Sequence, residues 1–146
     1  MTERADPLAA AFFSELLAAD QLARARLHKA LPRGMELSQF SVLNLLARSG
    51  EERTPAQLAA TFGVTRGAMS NTVARAERAG WVHVRPDWDD ARRKWVAISP
   101  AGRAACEAAI AGMAPLLQEV VADLGAERVR AALPVLRELR IRLAGA

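Results

Sequence analysis

One cysteine, no tyrosine, two histidines and two lysines are unusually few for 146 residues, and the shortages of cysteine and histidine each close off a class of function. A lone cysteine, Cys106, forms no intramolecular disulfide and cannot build a cysteine-rich zinc site, so disulfide scaffolds and zinc ribbons are excluded. His28 and His83 lack cysteine, histidine or carboxylate partners at ligand spacing, so no metal and no cofactor is expected. There is no glycine-rich phosphate loop, no paired-histidine helix motif and no nucleophile motif, which argues against an enzyme. No uninterrupted apolar run approaches the ~18 residues that cross a bilayer. The start, MTERADPLAAAFF, lacks the basic flank and long apolar stretch of a secretory signal. The expectation is a cytoplasmic protein with no membrane partner.

What is present is globular: 51% hydrophobic and 25% charged residues, in a length that suits one domain, residues 1–146. Twenty basic against 16 acidic residues give a formal charge of +4, a sign that permits a polyanionic partner. Apart from Lys29 and Lys94 every basic residue is arginine, the side chain suited to bidentate contacts with phosphate and guanine. Composition alone does not establish nucleic-acid binding.

Apolar residues recur every three or four positions from Leu8 to Leu31, predicting a long amphipathic helix over 7–31. Pro32 to Gly34 break it. Ser38 is expected to cap a second helix ended by Gly50, and Thr54-Pro55-Ala56-Gln57 is a capping box for a third that Gly63 closes. Thr65 caps a fourth helix ending near Gly80. The period then changes: Trp81 to Arg85 and Trp95 to Ile98 alternate, predicting a two-stranded hairpin with a loop from Pro86 to Arg93. Ser99 and Pro100 start a long Ala-rich helix to about Leu124, and a last helix carries Val129, Leu133, Leu136, Leu139 and Leu143. Pro115 and Pro134 fall inside these helices and are expected to kink or split them.

The informative stretch is Gln57 to Gly80. A helix-turn-helix needs a small residue under its turn, positive φ within it, and an apolar side chain returned by the second helix. Ala59, Gly63 and Met69 meet those needs, with Leu58 and Val64 expected to complete the small core. At 100° per residue, Met69, Thr72, Val73 and Ala76 face inward, while Gly67, Ser70, Asn71, Ala74 and Arg78 face out. Small Gly67 and Ala74 would let the helix sink into a major groove, and Ser70 and Asn71 would read base edges there. Thr65, Arg66, Arg75 and Arg78 around them are candidate phosphate contacts. The hairpin tip adds Arg92, Arg93 and Lys94, a wing able to reach phosphates or a narrow minor groove. Asp90 beside Arg92 is expected to hold that guanidinium in direction by a charge-assisted hydrogen bond.

TPAQLAATFGVTRGAMSNTVARAERAGWV, followed by DWDDARRKWVAISPAG, resembles the MarR-type winged helix-turn-helix transcription regulators. Their wing usually reads Asp-Pro-x-Asp-x-Arg and runs through a Val-x-Leu-Thr strand to Gly; Asp87, Asp90, Arg92, Val96, Ile98, Ser99 and Gly102 fall at the matching places. LSQFSVLNLLA and the flanking long helices extend the likeness over nearly the whole chain. Trp88 departs from the usual proline and Ala91 from a frequent arginine, and Asn71 stands where many members carry a longer side chain. The resemblance implies a mainly α fold with a two-stranded wing, a DNA-binding lobe over 35–100, and a helical dimerisation lobe over 7–31 and 100–145. It further implies a homodimeric repressor on a palindromic double-stranded DNA operator, released by a small-molecule effector between the two lobes, with Phe12, His28 and Phe40 as candidate pocket residues. The peroxide-sensing members place a cysteine in the first helix beside tyrosines, a pattern absent here; Cys106 is expected to be a small buried residue. The competing reading is a winged protein- or ligand-interaction module without DNA binding.

Overall fold

The computed structural model describes Arg4 and residues 6–145. The order is α1 (Pro7–Ala30), α2 (Leu37–Ser49), α3 (Pro55–Phe62), α4 (Arg66–Arg78), β1 (Val82–Pro86), β2 (Lys94–Ile98), α5 (Pro100–Leu124) and α6 (Ala126–Ala144). It is a mainly helical winged helix-turn-helix, as expected. The capping differs at α2. Glu36, not Ser38, is the N-cap, in a box where the Glu36 side chain accepts from the Gln39 N–H and the Gln39 side chain accepts from the Glu36 N–H. A carboxylate at this end also suits the positive pole of the helix dipole.

The core lies where α2, α3, α4, β1, β2 and α5 meet, built from Val42, Leu43, Leu46, Leu58, Met69, Val73, Val82, Val96, Cys106 and Ala109. Thr54 caps α3 with Gln57 in the expected box, and Gly63 takes the left-handed turn at φ 63°. Ala59 and Met69 are buried as the helix-turn-helix pattern requires, but Val64 is 43% exposed and belongs to the rim of that core. β1 and β2 pair antiparallel with Val84 opposite Val96, and Arg53 bridges to Val96 as a third, one-residue rung. The wing therefore grows from the link between α2 and α3 as well as from the end of α4.

Ser99 joins that sheet to α5. Its hydroxyl donates to the Gly80 carbonyl at 2.6 Å and accepts from the Gly102 N–H at 2.9 Å, while its own N–H donates to the Trp81 carbonyl at 2.9 Å. The α5 backbone comes so close that a Cβ on Gly102 would lie 2.0 Å from the Trp81 oxygen, so only glycine fits.

Pro115 and Pro134 do not split their helices: α5 and α6 each run through their proline. The missing N–H costs one rung, and the turns on either side carry the helix across. α5 is the one described helix long and apolar enough, by length and composition, to cross a membrane. Its apolar length has another use here, because Gly102, Cys106, Ala109 and Met113 are buried and α1, α2 and α6 all pack along it.

A candidate DNA interface on α4 and the wing

Thr65 begins α4 by accepting the Ala68 N–H at 3.1 Å. Its first turn thus projects from the surface with Arg66, Gly67, Ser70 and Asn71 all exposed. Met69, Val73 and Ala76 are buried on the opposite side, so the expected division of faces is present. Ala74 is half-buried and Arg78 exposed. Arg66 and Ser70 share a cleft with Thr54, Gln57 and the wing residues Asp90, Arg92, Arg93 and Lys94. Arg66 and Ser70 thus look onto the same space as the wing cations, whereas Asn71 lines a second cleft with Arg24, Glu36 and Arg75.

Arg75 is differently employed from the sequence expectation. Its guanidinium makes a two-pronged ion pair with Glu36, Nη2 to Oε1 at 2.6 Å and Nη1 to Oε2 at 2.8 Å. The pairing holds the Glu36 carboxyl below its ordinary range and raises the Arg75 guanidinium. Arg75 ties the recognition helix to the start of α2, and a guanidinium with both prongs on a carboxylate has little left for a phosphate. The bond spans 39 residues of sequence, and no local pattern announces it.

The wing stem is held in a similar way. Arg85 pairs with Glu52 through two bonds, Nη2 to Oε2 at 2.6 Å and Nε to Oε1 at 3.0 Å, and its guanidinium lies 5.9 Å from the Trp95 ring centroid. Asp87 accepts from the Trp95 indole N–H at 3.0 Å and from the Asp89 N–H at 2.9 Å, which pulls its carboxyl down in pKa. Sequence reasoning missed Glu36, Glu52 and this role of Asp87. Only Asp87 had a usable signal, an aspartate two residues ahead of another N–H at a turn.

Asp90 also departs from its expected part. Its carboxylate accepts the Arg92 backbone N–H at 2.9 Å, and its carbonyl accepts the Arg93 N–H at 3.0 Å. It shapes the chain at the tip and is not bonded to the Arg92 guanidinium. An Asx turn closes over two residues, whereas the guanidinium sits at the far end of a flexible stem, so the near donor takes the bond.

The three candidate pocket residues do not come together within one chain. Phe12 packs edge-on against Phe13, 5.6 Å between centroids. At about 1.5 Å of rise per residue, roughly 24 Å of α1 separates it from His28. Phe40 instead lines a groove of about 700 Å³ with Phe62, Arg48, Arg137 and Arg140. Cys106 is buried, as expected, and burial pushes its thiol up in pKa.

The MarR family model matches residues 33–93, from the approach to α2 to the wing. The transcriptional regulator BldR from Sulfolobus solfataricus superposes with a TM-score of 0.84 at 23% identity, over 96% of this chain and 99% of that one. Sco5413, a MarR family regulator from Streptomyces coelicolor, gives 0.79 at 22%, over 96% and 98%. A cysteine-to-serine mutant of MarR from E. coli, in complex with operator DNA, gives 0.73 at 27%, over 86% and 91%. The fold is that of the MarR-family transcriptional regulators. No curated protein matches the chain by sequence. The solved structures it resembles are those of transcriptional regulators. Within the fold, the wing signature quoted above corresponds to the stem and tip just described.

Proposed function

We propose that the protein is a homodimeric, sequence-specific DNA-binding repressor acting in the cytoplasm on a palindromic operator. The carrying observation is the shared cleft: Arg66 and Ser70 of α4 and the wing cations Arg92, Arg93 and Lys94 line one space. In this reading Ser70 and Asn71 read base edges, Gly67 and Ala74 permit close approach, and Thr65, Arg66 and Arg78 hold phosphates. Residues 35–100 act as the DNA-binding lobe, and residues 7–31 with 100–145 as the dimerisation lobe. The operator DNA bound by the E. coli neighbour supports the choice of partner.

Release by a small-molecule effector is the finer part of the proposal. Its best support is a cleft of about 350 Å³ between α1, α2 and α4, lined by Arg24, Glu36, Phe62, Val64, Met69 and Arg75. A ligand there would press on the Glu36–Arg75 pair that sets the pose of α4.

Gel shift with the DNA upstream of the protein's own gene, beside random duplex of equal length, tests the main reading. Preferential binding of the upstream fragment is expected, and Asn71→Ala is expected to cost about 1–3 kcal/mol at one base position only. Absence of binding to either duplex at low salt would favour the interaction-module reading instead.

A further inference from the structure

Trp88 stands at the tip of the wing with 86% of its surface exposed, more than any other large apolar residue described. An indole in that position offers a wide apolar face to solvent, with nothing among the described residues packed over it. The loop beneath it is nevertheless well tied. Asp87 accepts the N–H of Asp89 and the indole N–H of Trp95, and donates its own N–H to the Arg93 carbonyl at 3.0 Å. Asp90 accepts the Arg92 N–H. These bonds fix the backbone on both sides of Trp88, so little ordering entropy remains to be lost when the ring meets a partner.

The surroundings of the ring say which partner. Arg92, Arg93 and Lys94 are exposed on the same hairpin, on the far side of its tip from Trp88 in sequence, and with Arg66 and Ser70 they line the cleft shared with α4. A protein surface that buried the indole would also have to satisfy three neighbouring cations, while a nucleic-acid backbone supplies a row of anions with an apolar sugar edge between them. We infer that Trp88 is a DNA-contacting specificity residue, whose indole enters the minor groove beside the site occupied by α4 and wedges against the sugar edges of one base step. The inference rests on the DNA-binding reading above. A wedge partly unstacks the step it meets, and that costs least at flexible pyrimidine–purine steps. Trp88 therefore gives the chain a sequence preference at a position where no hydrogen bond reads a base.

The test uses a duplex that the unchanged protein selects from a randomised library. The emission of Trp88, taken as the difference between the unchanged protein and Trp88→Phe, is expected to lose its quenching by acrylamide when the duplex is added. Trp88→Ala is expected to weaken binding about tenfold, whereas Trp88→Phe keeps most of the affinity. Hydroxyl-radical footprints, which read sugar edges, are expected to lose the wing patch in Trp88→Ala and keep the pattern due to α4. Selected duplexes are expected to carry a TA or CA step under that patch. Because the side chain is so exposed, the alanine variant should fold, and circular dichroism checks this. If Trp88→Ala binds the selected duplex as tightly as the unchanged protein, and the ring stays quenchable in the complex, the inference is overturned while DNA binding stands. If the unchanged protein enriches no duplex at all, the DNA-binding reading fails and takes the wedge with it.

Discussion

Three side chains at the candidate interface bond within the chain before they meet any partner: Asp90 to backbone, and Glu36 and Arg75 to each other. Asp90 supports the wing through the Arg92 N–H, and for that it needs an acceptor oxygen and not a charge. Asp90→Asn keeps the oxygen and removes an anion close to phosphate, so its affinity for operator DNA is expected to equal or slightly exceed that of the unchanged protein. Asp90→Ala removes the acceptor and is expected to weaken binding severalfold. Titration of both variants at one salt concentration separates this from guanidinium tethering, under which asparagine would also be damaging. The Glu36–Arg75 pair makes a second case. Arg75→Ala is expected to leave the salt dependence of binding nearly unchanged, while Arg66→Ala and Arg78→Ala each reduce the slope by about one, as loss of a phosphate contact should. The pair also sets a pH dependence. Because its side-chain bond to Arg75 depresses the Glu36 carboxyl below 4.5 in the folded chain, its stabilising contribution is present above pH 4.5. It is lost as pH falls through the depressed value. Urea unfolding followed from pH 6 to pH 3 should show this loss, and Glu36→Gln should make the fall shallower without abolishing it, because the Glu52 and Asp87 carboxyls are lowered too; an equally steep fall in the variant would remove Glu36 as a cause.

The elements themselves were largely legible, because caps and periods are local. Thr54 with Gln57, Thr65, Ser99 with Pro100, and the alternation on either side of the wing each announce an element within four or five residues, and α3, α4, β1, β2 and α5 follow them. The α2 cap went astray because serine is the commoner cap and Ser38 stood nearby, while Glu36 forms its box with Gln39 just as well. What local pattern cannot carry is the joining of elements. Glu36 with Arg75 and Glu52 with Arg85 are 39 and 33 residues apart, and both decide how α4 and the wing are aimed. Gly102 is a further joint of this kind, legible in the sequence only as a residue of a motif. Gly102→Ala must push α5 away from the Trp81 carbonyl, which disturbs the Ser99 bridge as well. We expect a loss of about 1–3 kcal/mol in chemical unfolding, the range of an overpacked core site. An alanine variant as stable as the unchanged protein would mean that the α5 approach is looser than the 2.0 Å contact implies.

At the scale of the whole molecule, two long helices are only partly covered. No residue of α1 or α6 is buried within the chain, although α1 exposes Leu8, Phe12, Phe13, Leu17 and Leu22, and α6 exposes Leu133, Val135, Leu136, Ile141 and Leu143. Isolated helices are marginal in water, and what stabilises a helix in a protein is the packing of its apolar face. α5 adds Ile110, Leu117, Val120, Val121 and Leu124 to the same apolar surface, and an apolar recess of about 390 Å³ lies between α1 and α5 beside Leu22, Leu27, Leu116 and Val120. A patch of this extent marks an association surface. Under the proposed function a second copy is the occupant: a two-fold arrangement would set each chain's exposed stripe against the other's and give two copies of α4 for the two halves of a palindrome. Leu136→Asp puts an unpaired carboxylate into that surface, where its desolvation opposes association. Light scattering at micromolar concentration is expected to report a dimer for the unchanged protein and a monomer for Leu136→Asp. The monomer should lose far more affinity for a two-half-site operator than for a single half-site, because the effective concentration supplied by the linked second lobe is gone. A variant that stays dimeric, or a parent that is already monomeric, would show that α1 and α6 are covered in some other way and that each winged lobe meets DNA alone.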